Sequence, residues 1–289
     1  MRRNVIFKGN CVRRLANESL FPNNSIDLIV TSPPYSDRRK SSYGGVRPDK
    51  YVDWFLPISD HLYRILKPKG SFILNIKENA HKGERQTYVI QLILALKERG
   101  WLWTEEYCWY KKNSYPGKWP NRFRDNWERC LHFTKQRSFQ MYQDAVKVPI
   151  GEWSKKRFRS MTEKDFIRTV SRTNSRFGRN VANWLTKTKV YPHNVLDFEK
   201  EHYIEPTTVI NFATECSNRN HSAPFPLELP SWFIKLFTRQ GNVVLDPFMG
   251  IGTTAIAATL LARDYIGIEL SAEYIQEARK HIRQLRRVR

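Results

Sequence analysis

Long apolar runs, paired cysteines and an even balance of charge are what this chain of 289 residues lacks. No apolar stretch approaches the ~18 to 20 residues of a membrane span. The opening Met1-Arg2-Arg3-Asn4-Val5 has none of the apolar character of a signal peptide. The four cysteines, Cys11, Cys108, Cys130 and Cys216, form no Cys-x-x-Cys pair and have no histidine at zinc spacing. Neither a metal site nor a disulfide framework is therefore expected, and reduced thiols in a cytoplasm are the simplest reading. Internal repeats and low-complexity tracts are absent as well. Acidic residues are scarce: 28 Asp and Glu stand against 49 Lys and Arg, a net charge of +21 and a pI near 10.0. Such an excess favours a polyanionic partner through counterion release from phosphates, with acidic lipid headgroups as the other candidate. Aromatic residues make up 13% of the chain, including nine Trp, which suits base stacking as well as core packing.

The pattern opens in α/β style. Asn4 to Asn10 reads as a short strand, Cys11 to Leu20 as a helix, and Ile26 to Thr31 as a buried strand. Trp54, Phe55, Ile58, Leu62, Ile65 and Leu66 recur at helical spacing until Lys67-Pro68-Lys69-Gly70 ends that helix. Ser71 to Ile76 is the next buried strand, Gln86 to Arg99 a second amphipathic helix, and aromatic-rich strands follow near Trp101–Tyr110 and Cys130–Phe133. Strands separated by helices predict a doubly wound, mostly parallel sheet.

Two strand ends carry chemistry. At the first, Ile26 to Thr31 runs into Ser32-Pro33-Pro34-Tyr35. Two prolines fix the backbone, so the Ser32 hydroxyl and the nearby carbonyls form a rigid polar ledge beside the flat face of Tyr35. A ledge of this kind can hydrogen-bond an amino group while its ring is stacked; a plain Pro-Pro turn after a strand is the other reading. At the second, Asn242 to Asp246 is a strand followed by Pro247-Phe248-Met249-Gly250-Ile251-Gly252-Thr253-Thr254-Ala255, a glycine-bearing turn and a helix start. Gly250, Gly252 and Ala255 match the dinucleotide fingerprint, and Glu269 closes the next strand at the distance expected of a ribose-binding acid. The glycines alone do not separate a nicotinamide cofactor from S-adenosylmethionine. Asp246 does, because a carboxylate directly before the glycines suits the ammonium of a methionine moiety and repels a pyrophosphate.

Between the two sites, Gly151 to Lys189 holds eleven Lys or Arg and three acids, +8 of the +21. Its apolar residues are too sparse for a core sheet, while Trp153, Phe158, Phe177 and Trp184 are interleaved with the charge. A solvated charged face is one reading and a DNA-contacting insertion the other.

Ser32-Pro33-Pro34-Tyr35 resembles motif IV of the amino-group DNA methyltransferases, and its Ser-first form resembles the members that methylate the N4 amino group of cytosine. Asp246 to Thr254 resembles motif I of the same family. His221-Ser222-Ala223-Pro224-Phe225-Pro226 and the helix Leu229 to Thr238 resemble motif X, and Gly9-Asn10-Cys11 motif III, with Asn10 in place of the usual Asp. This motif order resembles the β class of the family. The resemblance implies a class I S-adenosylmethionine-dependent methyltransferase fold in permuted order, Rossmann-like, with a basic DNA-recognition insertion. It implies S-adenosylmethionine held by Asn10, Cys11, Thr31, Ser222, Phe225, Asp246, Pro247, Phe248, Gly250, Gly252, Thr253, Thr254 and Glu269. Ser32, Pro33, Pro34 and Tyr35 would act on a base flipped out of double-stranded DNA, by direct in-line transfer. DNA contacts are expected from Arg38, Arg39, Lys40, Lys155, Lys156, Arg157, Arg172, Arg176 and Arg179.

The expected division is a catalytic half over 1–149, a target-recognition insertion over 150–205 and a cofactor-binding half over 206–289. Adenine N6 methylation is the near alternative, since only the pocket differs. A DNA-binding module without catalysis and a nicotinamide oxidoreductase are the readings from other classes. A prokaryotic cytoplasmic location, a cognate restriction endonuclease and a homodimer complete the expectations.

Overall fold

The computed structural model describes residues 1–36, 45–111, 121–123, 125–162, 185–198 and 225–288. Arg38, Arg39, Lys40, Arg172, Arg176, Arg179 and Ser222, all expected to touch ligands, lie outside the described residues, as do Phe177 and Trp184. Contacts group the chain into two units, one of Met1–Tyr142 with Asn194–Arg289 and a smaller one of Gln143–His193. No described helix is long and apolar enough to cross a membrane.

In chain order the first unit contains β1 (Val5–Lys8), α1 (Cys11–Leu15), β2 (Ile26–Thr31), α2 (Tyr51–Ile65), β3 (Leu66–Ile76), a hairpin of β4 (Ala80–His81) and β5 (Glu84–Arg85), and α3 (Tyr88–Glu98). Strands β6 (Leu102–Tyr110) and β7 (Trp127–Thr134) follow. The second unit holds the short pair β8 (Val148–Pro149) and β9 (Lys189–Val190) and the helix α4 (Glu152–Arg159). Back in the first unit come β10 (Val195–Leu196), α5 (Glu228–Phe237), β11 (Val243–Asp246), α6 (Thr253–Leu260), β12 (Asp264–Glu269) and α7 (Ala272–Val288).

Eight strands form one sheet in the order β1-β12-β11-β2-β3-β7-β6-β10. From β1 to β3 every pairing is parallel, and β7 runs antiparallel to both β3 and β6. The expected doubly wound, mostly parallel sheet is what forms. All six residues of β2 are buried, as a central strand covered on both faces requires. One face presents Ile29, Phe72, Leu74, Leu131, Phe133 and Leu245 to α1, α2 and α3. On the other, His132 meets Phe237 and Tyr107 meets Phe233, both from α5. Neighbours in a strand point to opposite faces, so Leu131 and His132 serve different layers.

The boundaries differ from expectation at two instructive places. Helix α1 stops at Leu15, short of Leu20, because Asn17 turns the chain: its side-chain oxygen accepts from Leu20 N at 3.1 Å and its carbonyl from Phe21 N at 2.9 Å. The helix α2 ends before Lys67-Pro68-Lys69-Gly70 as expected, yet that segment is already extended and opens β3. Leu66 pairs with Ile26, and Gly70 lies so close to β2 that a Cβ there would stand 2.8 Å from the Asp27 carbonyl oxygen.

Strand order reverses between β11 and β2: the connection after β11 leads toward β12, and that after β2 leads toward β3. A crevice opens outside the carboxyl ends of two such strands. Asp246 ends β11, and Ser32 follows β2.

Candidate active site

The ledge after β2 is pinned from several sides. Tyr51 donates its hydroxyl to the Pro34 carbonyl at 2.9 Å, and Ser36 donates to the Val46 carbonyl at 3.0 Å. Asn79 donates its amide to the Ser36 carbonyl. Tyr35 is only partly exposed, and its phenol donates to Glu128 Oε2 at 2.6 Å, with Asn75 Oδ1 at 3.2 Å. The Ser32 hydroxyl donates to the Tyr35 oxygen at 3.4 Å. Burial, then the Glu128 charge, push the Tyr35 phenol well above its ordinary pKa, so it keeps its proton.

Glu128 was not among the residues singled out from the sequence, nor were Asn75, Lys111 and Trp54. Glu128 is 7% exposed and receives three donors: the Tyr35 phenol, the Asn75 amide at 3.2 Å and the Lys111 ammonium. Asn75 lies at the end of β3, a position comparable to Ser32 and Asp246 and readable on the same grounds. Trp54 of α2, read as one more apolar helical position, packs its ring at 5.8 Å from that of Phe248 and lines the cleft.

Asp246 is buried, and both of its carboxylate oxygens accept hydrogen bonds, Oδ2 only one of them. Oδ1 accepts from the Thr31 hydroxyl at 2.6 Å and from Phe248 N at 3.0 Å, and Oδ2 accepts from the Thr254 hydroxyl at 2.7 Å. Burial pushes its pKa up to about 6, against the opposing pull of the Thr31 and Thr254 hydrogen bonds. Glu269 shapes the neighbouring wall. Its carboxylate accepts from Gly250 N, Leu270 N and Ser271 N, each at 2.8 Å, and so ties the glycine turn to the end of β12.

These groups line one cleft of about 890 Å³. It takes in Ser32 to Tyr35, Asn10, Cys11, Phe225, Asp246, Pro247, Phe248, Gly250, Thr253 and Glu269 together. Thr31, Gly252 and Thr254, expected to contact cofactor, do not line it. Thr31 and Thr254 are fully buried behind it as hydrogen-bond donors to Asp246. Asn10 lies on the cleft, but its amide oxygen caps α1 by accepting from Arg13 N at 3.2 Å. Cys11 is buried, which pushes its thiol up to about 11 and keeps it neutral. Lys155, Lys156 and Arg157 belong to α4 of the smaller unit and are exposed there, Lys155 paired with Glu152 at 2.6 Å.

The two glycines of the turn differ in purpose. Gly252 has φ +92°, and a Cβ there would sit 2.8 Å from the Ala278 Cβ of α7. Gly250 has φ +53° and nothing within 4 Å of its Cβ position. Gly252 therefore allows helix packing, and Gly250 leaves the cleft side open. Gly252→Ala is expected to destabilise the fold by about 1 to 3 kcal/mol, through a strained backbone and an overpacked contact. Gly250→Ala should cost about 1 kcal/mol of stability and weaken cofactor binding. Thermal melts and cofactor titration of the two variants test the division.

The open side of Gly250, the buried carboxylate of Asp246 and the acid at the end of β12 fit a ligand that carries an ammonium and hydroxyls. With the strand order, this defines a class I methyltransferase. The N6/N4 DNA methylase family profile matches residues 26–280, and the chain belongs to that family. Among its relatives, the Type II methyltransferase M.PvuII of Proteus hauseri is 28% identical over 270 residues, 88% of this chain and 77% of the relative. The DNA adenine methyltransferase YhdJ of Escherichia coli (strain K12) is 26% identical over 268 residues, 91% and 78% of the two chains. In fold, the cytosine-N4-specific PvuII DNA methyltransferase superposes with a TM-score of 0.67 at 23% identity, covering 96% of this chain and 86% of that one. TTHA0409 of Thermus thermophilus, solved with S-adenosyl-L-methionine, gives 0.58 at 22%, covering 96% and 91%. The chain is thus a β-class DNA amino-methyltransferase that uses S-adenosylmethionine.

Proposed function

We propose that the chain transfers a methyl group to the exocyclic N4 of cytosine in double-stranded DNA. The observation that carries the choice of base is serine at position 32, the first place of the Ser32-Pro33-Pro34-Tyr35 ledge and a form that resembles cytosine-specific members of the family. The cytosine specificity of the PvuII enzyme, similar in sequence and fold, supports it. Adenine N6 is the second reading, favoured by the similarity to YhdJ. Sequencing that detects modified bases in DNA from cells expressing the chain decides between N4-methylcytosine and N6-methyladenine and reports the recognition site.

The geometry supports the following division of labour. A base within a duplex does not reach a cleft whose floor lies beside β2 and β11, so the target is flipped out, with the ring of Tyr35 as its stacking face. The Ser32 hydroxyl and the Pro33 carbonyl accept the amino hydrogens and turn the nitrogen lone pair, otherwise delocalised into the ring, toward the donor. Asp246 holds the cofactor ammonium and Glu269 its ribose hydroxyls. Once bound, S-adenosylmethionine supplies an electrophilic methyl group. Positioning and electrostatics in the cleft account for the rest, with no covalent intermediate on the protein.

The smaller unit fits DNA recognition. Its helix α4 exposes Lys155, Lys156, Arg157 and Arg159 around Trp153, which is 77% exposed. Neutralising Lys155, Lys156 and Arg157 together is expected to weaken DNA binding and flatten its salt dependence. Each lost phosphate contact removes a slope of ~0.9, up to about 2.7 for three. Cofactor affinity should not move. An unchanged slope on both cognate and scrambled duplexes would remove α4 from the DNA surface.

A further inference from the structure

We propose that Glu128 takes up the proton that methyl transfer releases, through a relay made of the Ser32 and Tyr35 hydroxyls. The proposal rests on placing Ser32 against the target amino group and holds for either base.

The hydrogen bonds have a common direction. Ser32 donates to Tyr35 at 3.4 Å, and Tyr35 donates to Glu128 at 2.6 Å. The chain starts at the ledge and ends on a carboxylate, a group that only accepts while ionised. Ser32 keeps its own lone pairs for the hydrogens of an amino group. Around Glu128 stand the Lys111 and Lys77 ammonium groups, the buried neutral Cys130 thiol, the Asn75 amide and the Tyr35 phenol. The two ammonium groups set positive charge beside the carboxylate, and Lys77 also faces Asp125 at 4.0 Å. Glu128 also lines the cleft, which gives the proton an exit to water.

Methyl transfer forms a nitrogen–carbon bond at the target amine while the donor's carbon–sulfur bond breaks, its electron pair staying on sulfur. The nitrogen is left with one proton in excess and a positive charge. That proton passes to Ser32 Oγ as the serine's own proton moves to Tyr35 and the tyrosine's to Glu128. Both hydroxyls end neutral, as they began, and the carboxylate becomes a carboxylic acid that later loses its proton to solvent.

The test is the single-turnover rate of methyl transfer at saturating cofactor and DNA, across pH, for Ser32→Ala, Tyr35→Phe, Glu128→Gln and the double variant of the last two. Tyr35→Phe and Glu128→Gln are each expected to slow transfer about ten- to a hundredfold, the lower range for a proton-transfer group that acts at a distance. The double variant should be no slower than the slower single. Both singles should speed up with rising pH where the parent is flat, because hydroxide replaces the relay, and cofactor and DNA affinities should stay at parental values. Parental speed in either single variant overturns the proposal. So do additive losses, or a loss that ignores pH and comes with weakened DNA binding, which would make Glu128 a structural brace. Should Glu128→Gln fail to fold, Tyr35→Phe, which removes one oxygen atom, carries the test alone. A Ser32→Ala variant at parental speed means that the reading of Ser32 has failed; a slow Ser32→Ala beside a normal Tyr35→Phe means that the relay alone has.

Discussion

Replacing Ser32 by alanine is expected to lower the single-turnover rate of methyl transfer by ~10²-fold or more, the usual cost of one hydrogen bond made in the transition state. Cofactor affinity should be nearly unchanged, since the hydroxyl faces Tyr35, whereas Asp246 and Glu269 lie on β11 and β12. The backbone should tolerate the change. The ledge is held by Pro33, Pro34 and the Tyr51 hydrogen bond to the Pro34 carbonyl, none of which uses the serine side chain. An unaltered rate would remove Ser32 from the chemistry.

Asp246→Asn should move two quantities in opposite directions. The folded carboxyl titrates at about 6 against an ordinary 3.8, so between those values the folded chain binds more protons than the unfolded one. Stability without cofactor therefore falls as pH rises through this window. At neutral pH the ionised carboxylate costs about 3 kcal/mol, at ~1.4 kcal/mol for every pH unit that separates the two titrations. Asparagine keeps the shape without the charge: its oxygen in the place of Oδ1 still accepts from Thr31 and Phe248 N, and the Thr254 hydroxyl can rotate to accept from its amide. The variant without cofactor should melt higher than the parent at neutral pH and at the same temperature near pH 4. Its cofactor affinity should drop ~100-fold with the loss of a buried charge partner. In the parent, affinity should decline by about tenfold per unit below pH 6, as the carboxylate takes up the proton that the ammonium must displace. Calorimetric titration between about pH 5 and pH 8 reads this directly, and a flat profile would mean that Asp246 does not meet the ammonium.

That Ser32, Asp246 and Glu269 meet at one cleft was legible because each ends or follows a run of buried apolar residues in a parallel strand, and parallel strands deliver their last residues to the same edge of a sheet. Glu128 was not legible for the complementary reason. It stands near the start of a strand, and only because β7 runs antiparallel does a strand start arrive at the edge where the others end. Lys111 belongs to the same missed set: it follows β6, which runs parallel to the core strands, and becomes meaningful only once β7 brings Glu128 beside it. The glycines were half legible. Both were read as cofactor residues, while the close approach that Gly252 answers comes from Ala278, which no local pattern announces. Thr31 and Thr254, expected at the cofactor, donate their hydroxyls to Asp246, a partnership that depends on which strand face is covered.

The hydrogen bond from Thr31 to Asp246 joins residues 215 positions apart, and the parallel pairing of β2 with β11 joins Leu28 to Val244 and Ile29 to Leu245. At typical synthesis rates of ~5 to 20 residues per second, roughly 10 to 40 s separate the two strands on the ribosome. Throughout that time β2, apolar on the face of Ile26, Leu28 and Val30, lacks its β11 neighbour and presents an open sheet edge, the kind of surface that recruits other chains. Sequence-distant pairing also makes folding slow once synthesis is complete. A chain released early has the ledge after β2 and lacks the strand that carries Asp246, so half of the cleft is missing from it. The cleft is therefore complete only when the strand that carries Asp246 has arrived.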